Sequence, residues 1–146
     1  MIKGYECMRG AGRKIISFVV MVSLIVTTTV AWAATPTVEI VAMAHPPVQS
    51  VLKPLRDWLA QQGKKIRVIE VDAESPQGKS RLEAIELKGH IPIAIMINNK
   101  TSYRRANGDS VSFVNFPAVK ESPSGVRGNW QIQDVQAALL EQISKQ

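Results

Sequence analysis

A continuous apolar run in the middle of the chain, Ile91-Pro-Ile-Ala-Ile-Met-Ile97, constrains the fold more than any other feature of the sequence. A short run of this kind is typical of a strand that is buried on both faces. Proline cannot donate a hydrogen bond inside a sheet, so Pro92 is expected at the start of the strand. The run therefore predicts a central strand covered by helices on both sides.

The residues before this run predict two further strands and a helix between them. Strands are expected over Val38 to Met43 and over Ile66 to Val71, and Gly63 is placed to end the intervening helix. A right-handed crossover through that helix makes the two strands parallel. The apolar residues that recur at helical spacing are Val48, Val51, Leu52, Leu55 and Leu59.

A second helix is expected between the second strand and the apolar run. Ser75-Pro76 is typical of an N-cap followed by proline in the first turn. The helix is predicted over Gln77 to Leu87, with Leu82 and Ile85 on its buried face and Gly89 ending it.

The last third of the chain predicts a hairpin and a closing helix. Asn98-Asn99-Lys100 forms a turn, and strands over Thr101 to Ala106 and Ser110 to Phe116 flank Asn107-Gly108, a strong hairpin signal. A long loop from Pro117 to Gly128 leads to a helix whose apolar face carries Ile132, Val135, Leu139 and Ile143. The predicted order is β-α-β-α-β-β-β-α, a three-layer α/β/α sandwich around a small mixed sheet.

The first 33 residues are predicted to be a secretory signal rather than part of this domain. Basic residues precede an apolar run from Ile15 to Val30, and Ala31-Trp32-Ala33 has small residues where a signal peptidase cleaves. Cleavage after Ala33 leaves a domain over residues 34–146 that is periplasmic or secreted. The alternative is an uncleaved membrane anchor, because the run approaches the roughly 20 residues of a membrane span.

Charge and cysteine content restrict the function classes. Residues 1–33 contain four basic side chains and one acidic side chain, so the remaining chain has 14 basic and 11 acidic residues, a net charge of +3 instead of +6. These charges are scattered, which argues against a nucleic-acid-binding surface. The only cysteine, Cys7, lies within the predicted signal, so the exported domain contains no thiol.

In this order, the segments resemble the thioredoxin superfamily over Val38 to Ile143. A strand leads into a helix with proline in its middle, Val-Leu-Lys-Pro54-Leu, and a second strand ends in Val71-Asp72. Gly89-His-Ile-Pro92 then resembles the family's segment that contains a cis-proline, and a helix after Trp130 closes the domain. The resemblance implies a thioredoxin-like fold.

The redox motif of that family is missing. Counted from Pro54, its two cysteines match Pro46 and Gln49, within His45-Pro46-Pro47-Val48-Gln49. Disulfide exchange needs a nucleophilic thiolate and a second thiol to resolve the mixed disulfide. A domain of this kind is therefore expected to be redox-inactive and not an enzyme.

The resemblance implies a binding surface instead. In the family, the proline loop lies beside the start of the first helix, and its exposed N–H and C=O groups pair with an extended partner segment. The chain is expected to bind a protein or peptide partner of the cell envelope without a cofactor. The residues predicted to form this surface are His45, Pro46, Pro47, Gln49, Ile91 and Pro92. The simpler interpretation is that Pro92 only shapes a turn.

Two other functions remain open from the sequence. His45 and His90, brought together by the same loops, are candidate ligands of a periplasmic copper or zinc site, although two ligands are too few for a closed zinc site. An accessory that borrows thiols from a thiol-disulfide oxidoreductase is the other. No serine lies in a Gly-x-Ser-x-Gly setting, and Gly125-Val-Arg-Gly128 lacks the Lys-Ser/Thr ending of a phosphate loop.

Overall fold

The computed structural model describes residues 34–146, so the predicted signal over residues 1–33 lies outside the described part of the chain. The elements follow the predicted order β-α-β-α-β-β-β-α, and this prediction is confirmed. They are β1 (Thr37–Ala42), α1 (Pro46–Gln62), β2 (Arg67–Asp72), α2 (Pro76–Ala84), β3 (Ile93–Ile97), β4 (Ser102–Arg104), β5 (Ser110–Ser112) and α3 (Ile132–Ile143).

The main sheet is small and mixed, with strand order β2-β1-β3, and β4 and β5 form a separate two-stranded antiparallel sheet. β1 runs parallel to β2 and antiparallel to β3, so that Ile40 lies between Glu70 and Ile95. The chain after β5 continues the sheet beyond β3, because the Ile95 N–H donates to the Phe113 carbonyl (2.9 Å) and the Asn115 N–H donates to the Ile93 carbonyl (2.8 Å). β3 is therefore an inner strand, and all five of its residues are buried as predicted.

Helices cover both faces of the sheet. Arg56 of α1 donates to Glu70, which shares a face with Ile40, whereas Arg81 of α2 pairs with Glu39. Consecutive strand residues point to opposite faces, so α1 and α2 lie on opposite sides. Ala138 and Gln142 of α3 line a small cavity together with Ile97. Ile97 pairs with Val38, which lies on the same face of the sheet as Ile40, so α3 lies on the α1 side.

The Glu39 carboxylate is the one acidic group of β1, and it is almost completely buried. Arg81 donates to it through Nε, at 2.7 Å from Oε1, and through Nη2 to Oε2. The carboxylate raises the pKa of the Arg81 guanidinium through these hydrogen bonds. A buried charge is tolerated only when it is paired, so this ion pair fixes α2 to β1.

α1 forms where its apolar spacing predicts. Its buried residues are Val48, Leu52, Leu55 and Leu59. The helix ends at Gly63, whose φ of 56° lies in the region that glycine adopts at low cost. Pro54 lies inside the helix as predicted and is exposed.

α2 begins as predicted but ends earlier. The Ser75 hydroxyl accepts a hydrogen bond from the Gly78 N–H (3.0 Å), which confirms the N-cap. The expected end at Leu87 with Gly89 as terminator is wrong, because the helix ends at Ala84. The Leu87 N–H bonds to the Leu82 carbonyl, and the N–H of Glu86, which has a φ of 60°, bonds to Glu83. This is a Schellman motif with glutamate at the position that glycine usually occupies.

The hairpin around Asn107-Gly108 is shorter than predicted, since β4 ends at Arg104 and β5 begins at Ser110. The intervening loop is closed by the Arg105 N–H, which donates to the Asp109 carbonyl (2.8 Å), and by the Asn107 side chain, which accepts from the Asp109 N–H. The two-residue turn with both φ angles positive occurs instead at Asn98–Asn99 (49° and 64°), directly after β3.

α3 is fixed to this hairpin by an ion pair. The Asp134 carboxylate accepts from Arg105 Nε (2.7 Å) and Nη2 (2.6 Å) and from the Gln131 N–H (2.7 Å). The hydrogen bonds from Arg105 lower the pKa of the Asp134 carboxyl, against the effect of its burial, and the Gln131 N–H adds to the lowering. The acidic residue in the first turn also complements the helix dipole.

Asp134→Asn is expected to lower the free energy of unfolding by about 1–2 kcal/mol at neutral pH. Because the folded pKa of Asp134 lies below its unfolded value, the ionised carboxyl stabilises the fold above the unfolded pKa of 3.8. This contribution is lost as the pH falls through the folded pKa. In urea unfolding, the difference in free energy of unfolding between wild type and variant should therefore become smaller below about pH 4. Glu141→Gln, on an exposed part of α3, is the control, and a difference that stays constant with pH would contradict the assignment.

Candidate functional site

The start of α1 and the proline loop before β3 lie at the same end of the sheet. The Met43 N–H donates to the Pro92 carbonyl (3.0 Å), which continues the pairing of Ala42 with Ile93. The helix begins just beyond Met43, where the His45 carbonyl accepts from the Gln49 N–H (3.1 Å). The juxtaposition that the sequence predicted is therefore present. We call this surface the proline edge and define it by His45, Pro46, Pro47, Ile91 and Pro92.

The members of the proline edge differ in exposure. His45, Pro46 and Pro47 are exposed, Ile91 is half-buried and Pro92 is buried. Every peptide bond between residues 34 and 146 is trans, so the expected cis bond before Pro92 is absent and that prediction is wrong. Pro92 precedes the first residue of β3, where its missing N–H leaves no gap in the ladder.

Ile91 presents unpaired main-chain groups at the proline edge. Within the described part of the chain, neither its N–H nor its C=O makes a hydrogen bond, although Pro92 and Ile93 beside it both do. Ile91 continues the line of β3 beyond the last pairing with β1. An unpaired donor and acceptor at the end of a buried strand can pair with an extended segment from another chain.

Gln49 lies next to this surface, in the first turn of α1, and is half-buried. Its amide Nε2 donates to the Met43 carbonyl (2.7 Å), and its Oε1 accepts from Arg56 Nη1 (2.8 Å). Arg56 in turn donates to both carboxylate oxygens of Glu70. Through these two hydrogen bonds, Gln49 positions the end of β1 against α1. The prediction that Gln49 contacts a partner stays a prediction.

The two histidines are exposed, and one of them has a charged neighbour. His45 Nε2 lies 3.1 Å from Glu74 Oε2, with both side chains about half exposed. His90 lies one residue before Ile91 and makes no side-chain hydrogen bond among residues 34–146. Over the same residues, no three His, Cys, Asp or Glu side chains converge in a way that could hold a metal ion. His45, its neighbour Glu74 and His90 therefore do not form such a group.

An apolar groove beside the proline edge was missed from the sequence. It has a volume of about 350 Å³ and lies between the first turns of α1 and the loop after β5. We call it the loop groove, and it is lined by Pro47, Val51, Phe116, Val119 and Pro123. Apolar residues within a Pro/Ser/Gly-rich loop follow no helix or strand period, so only the isolated Phe116 and Val119 could have indicated it.

The loop groove adjoins the proline edge at Pro47. Pro47 belongs to both surfaces. Phe116 directly follows Asn115, whose N–H bonds to Ile93, so Phe116 leaves the sheet at the end where Pro92 enters it. The two surfaces therefore share Pro47, and both lie at the end of the sheet where β3 begins.

No helix in the described range is both long enough and apolar enough to cross a bilayer. Comparison of the chain with protein-family models, curated proteins and solved structures finds no match.

Proposed function

We propose that residues 34–146 form an exported, redox-inactive domain with a thioredoxin-like fold that binds an extended segment of a protein partner in the cell envelope. The observation that carries this proposal is the unpaired main chain of Ile91 at the proline edge. Main-chain pairing gives affinity without a catalytic group, and neighbouring pockets give selectivity.

The architecture supports the thioredoxin-like part of the proposal. The element order, the proline inside α1 and the position of Pro92 beside the end of β1 are those that the resemblance implied. Helices on both faces of a small mixed sheet are consistent with a three-layer sandwich. The trans bond before Pro92 departs from the family's pattern.

The chemistry of the first helix supports a binding role over an enzymatic one. Pro46 and Gln49 occupy the positions that match the redox cysteines, and residues 34–146 contain no cysteine. The Gln49 amide is hydrogen-bonded to Met43 and Arg56, and a carboxamide is not a nucleophile for disulfide exchange. Export through the predicted signal would place this thiol-free domain in an oxidising compartment, where it can neither form nor exchange disulfides.

A pair of substitutions at Ile91 tests the proposal. Peptides are selected from a random library on the exported protein, and the affinity of a selected peptide is measured by calorimetry. Ile91→Pro removes the N–H donor and is expected to weaken binding about tenfold or more. One hydrogen bond contributes about 1 kcal/mol, and the substitution also disturbs the hydrogen bond that the carbonyl of residue 91 accepts from the partner. The N–H has no partner within the described residues, so no internal hydrogen bond is lost there.

Ile91→Ala keeps the N–H and is the matched control, with binding expected within a few-fold of wild type. Both variants are compared by circular dichroism and thermal unfolding to establish that they are folded. Equal affinities of Ile91→Pro and Ile91→Ala would contradict pairing at this residue. Failure to select any peptide would contradict the binding function itself.

A further inference from the structure

We propose that the partner segment inserts one large apolar side chain into the loop groove and places a basic residue next to it. This inference rests on the proposed function, because it specifies the segment that pairs with Ile91. Three features support it: the apolar lining of the groove, its fixed shape, and the one charged side chain that borders it.

The lining is suited to an aliphatic or aromatic side chain. Its five apolar residues come from two separate parts of the chain, and the volume of about 350 Å³ is at the lower end of the range typical of ligand pockets. Val119 is one of three large apolar side chains of residues 34–146 that are more than a third exposed, and the other two, Val68 and Leu140, lie outside the groove. Covering Val119 removes apolar surface from water, which favours binding.

The wall formed by the loop is held in shape by hydrogen bonds within the loop itself. The buried Ser122 donates its hydroxyl hydrogen to the Pro117 carbonyl (2.6 Å). Arg127 Nη2 donates to the carbonyls of Lys120 (3.0 Å) and Ser122 (2.5 Å), and the Phe116 N–H donates to Val126 (2.8 Å). A groove that is ordered before binding loses less conformational entropy when a ligand enters it.

Charge and position identify the occupant as a short basic-apolar peptide segment. Glu121 is the one charged residue that lines the groove, and it forms no ion pair within the described residues. A lysine or arginine beside the inserted apolar residue would complement it. Pro47 lines the groove and also belongs to the proline edge, and for this reason the proposal places both contacts on one extended segment.

A peptide array on the exported protein tests this inference. Short synthetic peptides on a Gly/Ser/Thr host sequence vary the central residue among Leu, Phe, Ala and Asp, and the following residue among Lys, Ser and Glu. Leu or Phe followed by Lys is expected to be retained about tenfold more strongly than Asp followed by Glu. Val119→Asp is expected to remove the preference for an apolar centre, whereas Leu140→Asp, at a more exposed apolar position on α3, is expected to retain it.

The charge reversal Glu121→Lys is expected to shift the preference from Lys to Glu at the flanking position, with the apolar preference unchanged. If peptides bind in an Ile91-dependent manner but show no preference for an apolar central residue, the groove inference is overturned and the proposed function stands. No retention of any peptide would overturn the proposed function as well. A change in oligomeric state of Val119→Asp, measured by analytical ultracentrifugation, would identify a second copy of the chain as the occupant and overturn the peptide assignment.

Discussion

Gly78→Ala is expected to lower the free energy of unfolding by about 2–3 kcal/mol, although alanine is the better helix former by about 1 kcal/mol. Gly78 lies in the first turn of α2, against the chain that leaves β2. A Cβ at this position would overlap the carbonyl oxygen of Asp72 and lie 2.8 Å from the Cα of Ala73. Urea unfolding followed by circular dichroism measures the change.

The obstacle at Gly78 is backbone and cannot rotate away. The Ala73 N–H donates to the Ala42 carbonyl (3.0 Å), and the Ser75 hydroxyl donates to the Asp72 carbonyl (2.6 Å), so this segment is bonded to β1 and to the N-cap of α2. The helix would have to move instead. Gly125→Ala is the control, since a Cβ there meets no atom within 4 Å, and its effect is expected to be within about 0.5 kcal/mol. Equal stabilities of the two variants would contradict the close packing of α2.

The sequence correctly predicted the elements that form because of residues close together in the chain. The 3.6-residue spacing of apolar side chains defines α1, and Gly63 ends it because few other residues adopt a φ of 56° at low cost. The apolar run of β3 predicted an inner strand correctly, since only a strand covered on both faces needs no polar residue. Ser75 correctly indicated the start of α2, because its hydroxyl accepts a hydrogen bond from the N–H three residues later.

The predictions that failed depended on competition between neighbouring signals. Gly89 and Leu87 suggested a longer α2, but Leu87 packs back towards Leu82 once Glu86 adopts a positive φ. Asn107-Gly108 correctly predicted the hairpin of β4 and β5, but the predicted strand ends were wrong, because the Asn107 side chain bonds to Asp109 within a longer loop. Sequence spacing does not show which of two such arrangements is more stable.

The site was predicted in part, because its pieces are far apart in the chain. The resemblance predicted the proline loop beside the start of the first helix, and Met43, just before that helix, bonds to Pro92. The loop groove joins Pro47 to residues about seventy positions later, and the Arg81–Glu39 pair spans 42 positions. No local period relates such residues, so tertiary packing alone brings them together.

Trp130→Ala is expected to have a larger effect than Gly78→Ala, lowering the free energy of unfolding by about 4 kcal/mol. Trp130 is completely buried and packs edge-to-face on Phe113, with ring centroids 6.1 Å apart. Its indole N–H donates to the carbonyls of Val114 (3.1 Å) and Asn115 (3.2 Å). Urea unfolding measures the loss, with circular dichroism as the probe because the substitution removes a fluorophore.

Trp130→Phe separates the contribution of packing from that of the hydrogen bonds. Phenylalanine fills most of the cavity but leaves the carbonyls of Val114 and Asn115 without the indole donor, so an intermediate loss of about 2 kcal/mol is expected. These two residues lead directly into Phe116, and the Trp130 carbonyl accepts from the Ala118 N–H (2.6 Å) within the same loop. Trp130 therefore connects the core to the wall of the loop groove. If Trp130→Phe unfolds like wild type but loses the apolar preference on the peptide array, the indole acts on the groove rather than on global stability, and the expected intermediate loss is wrong.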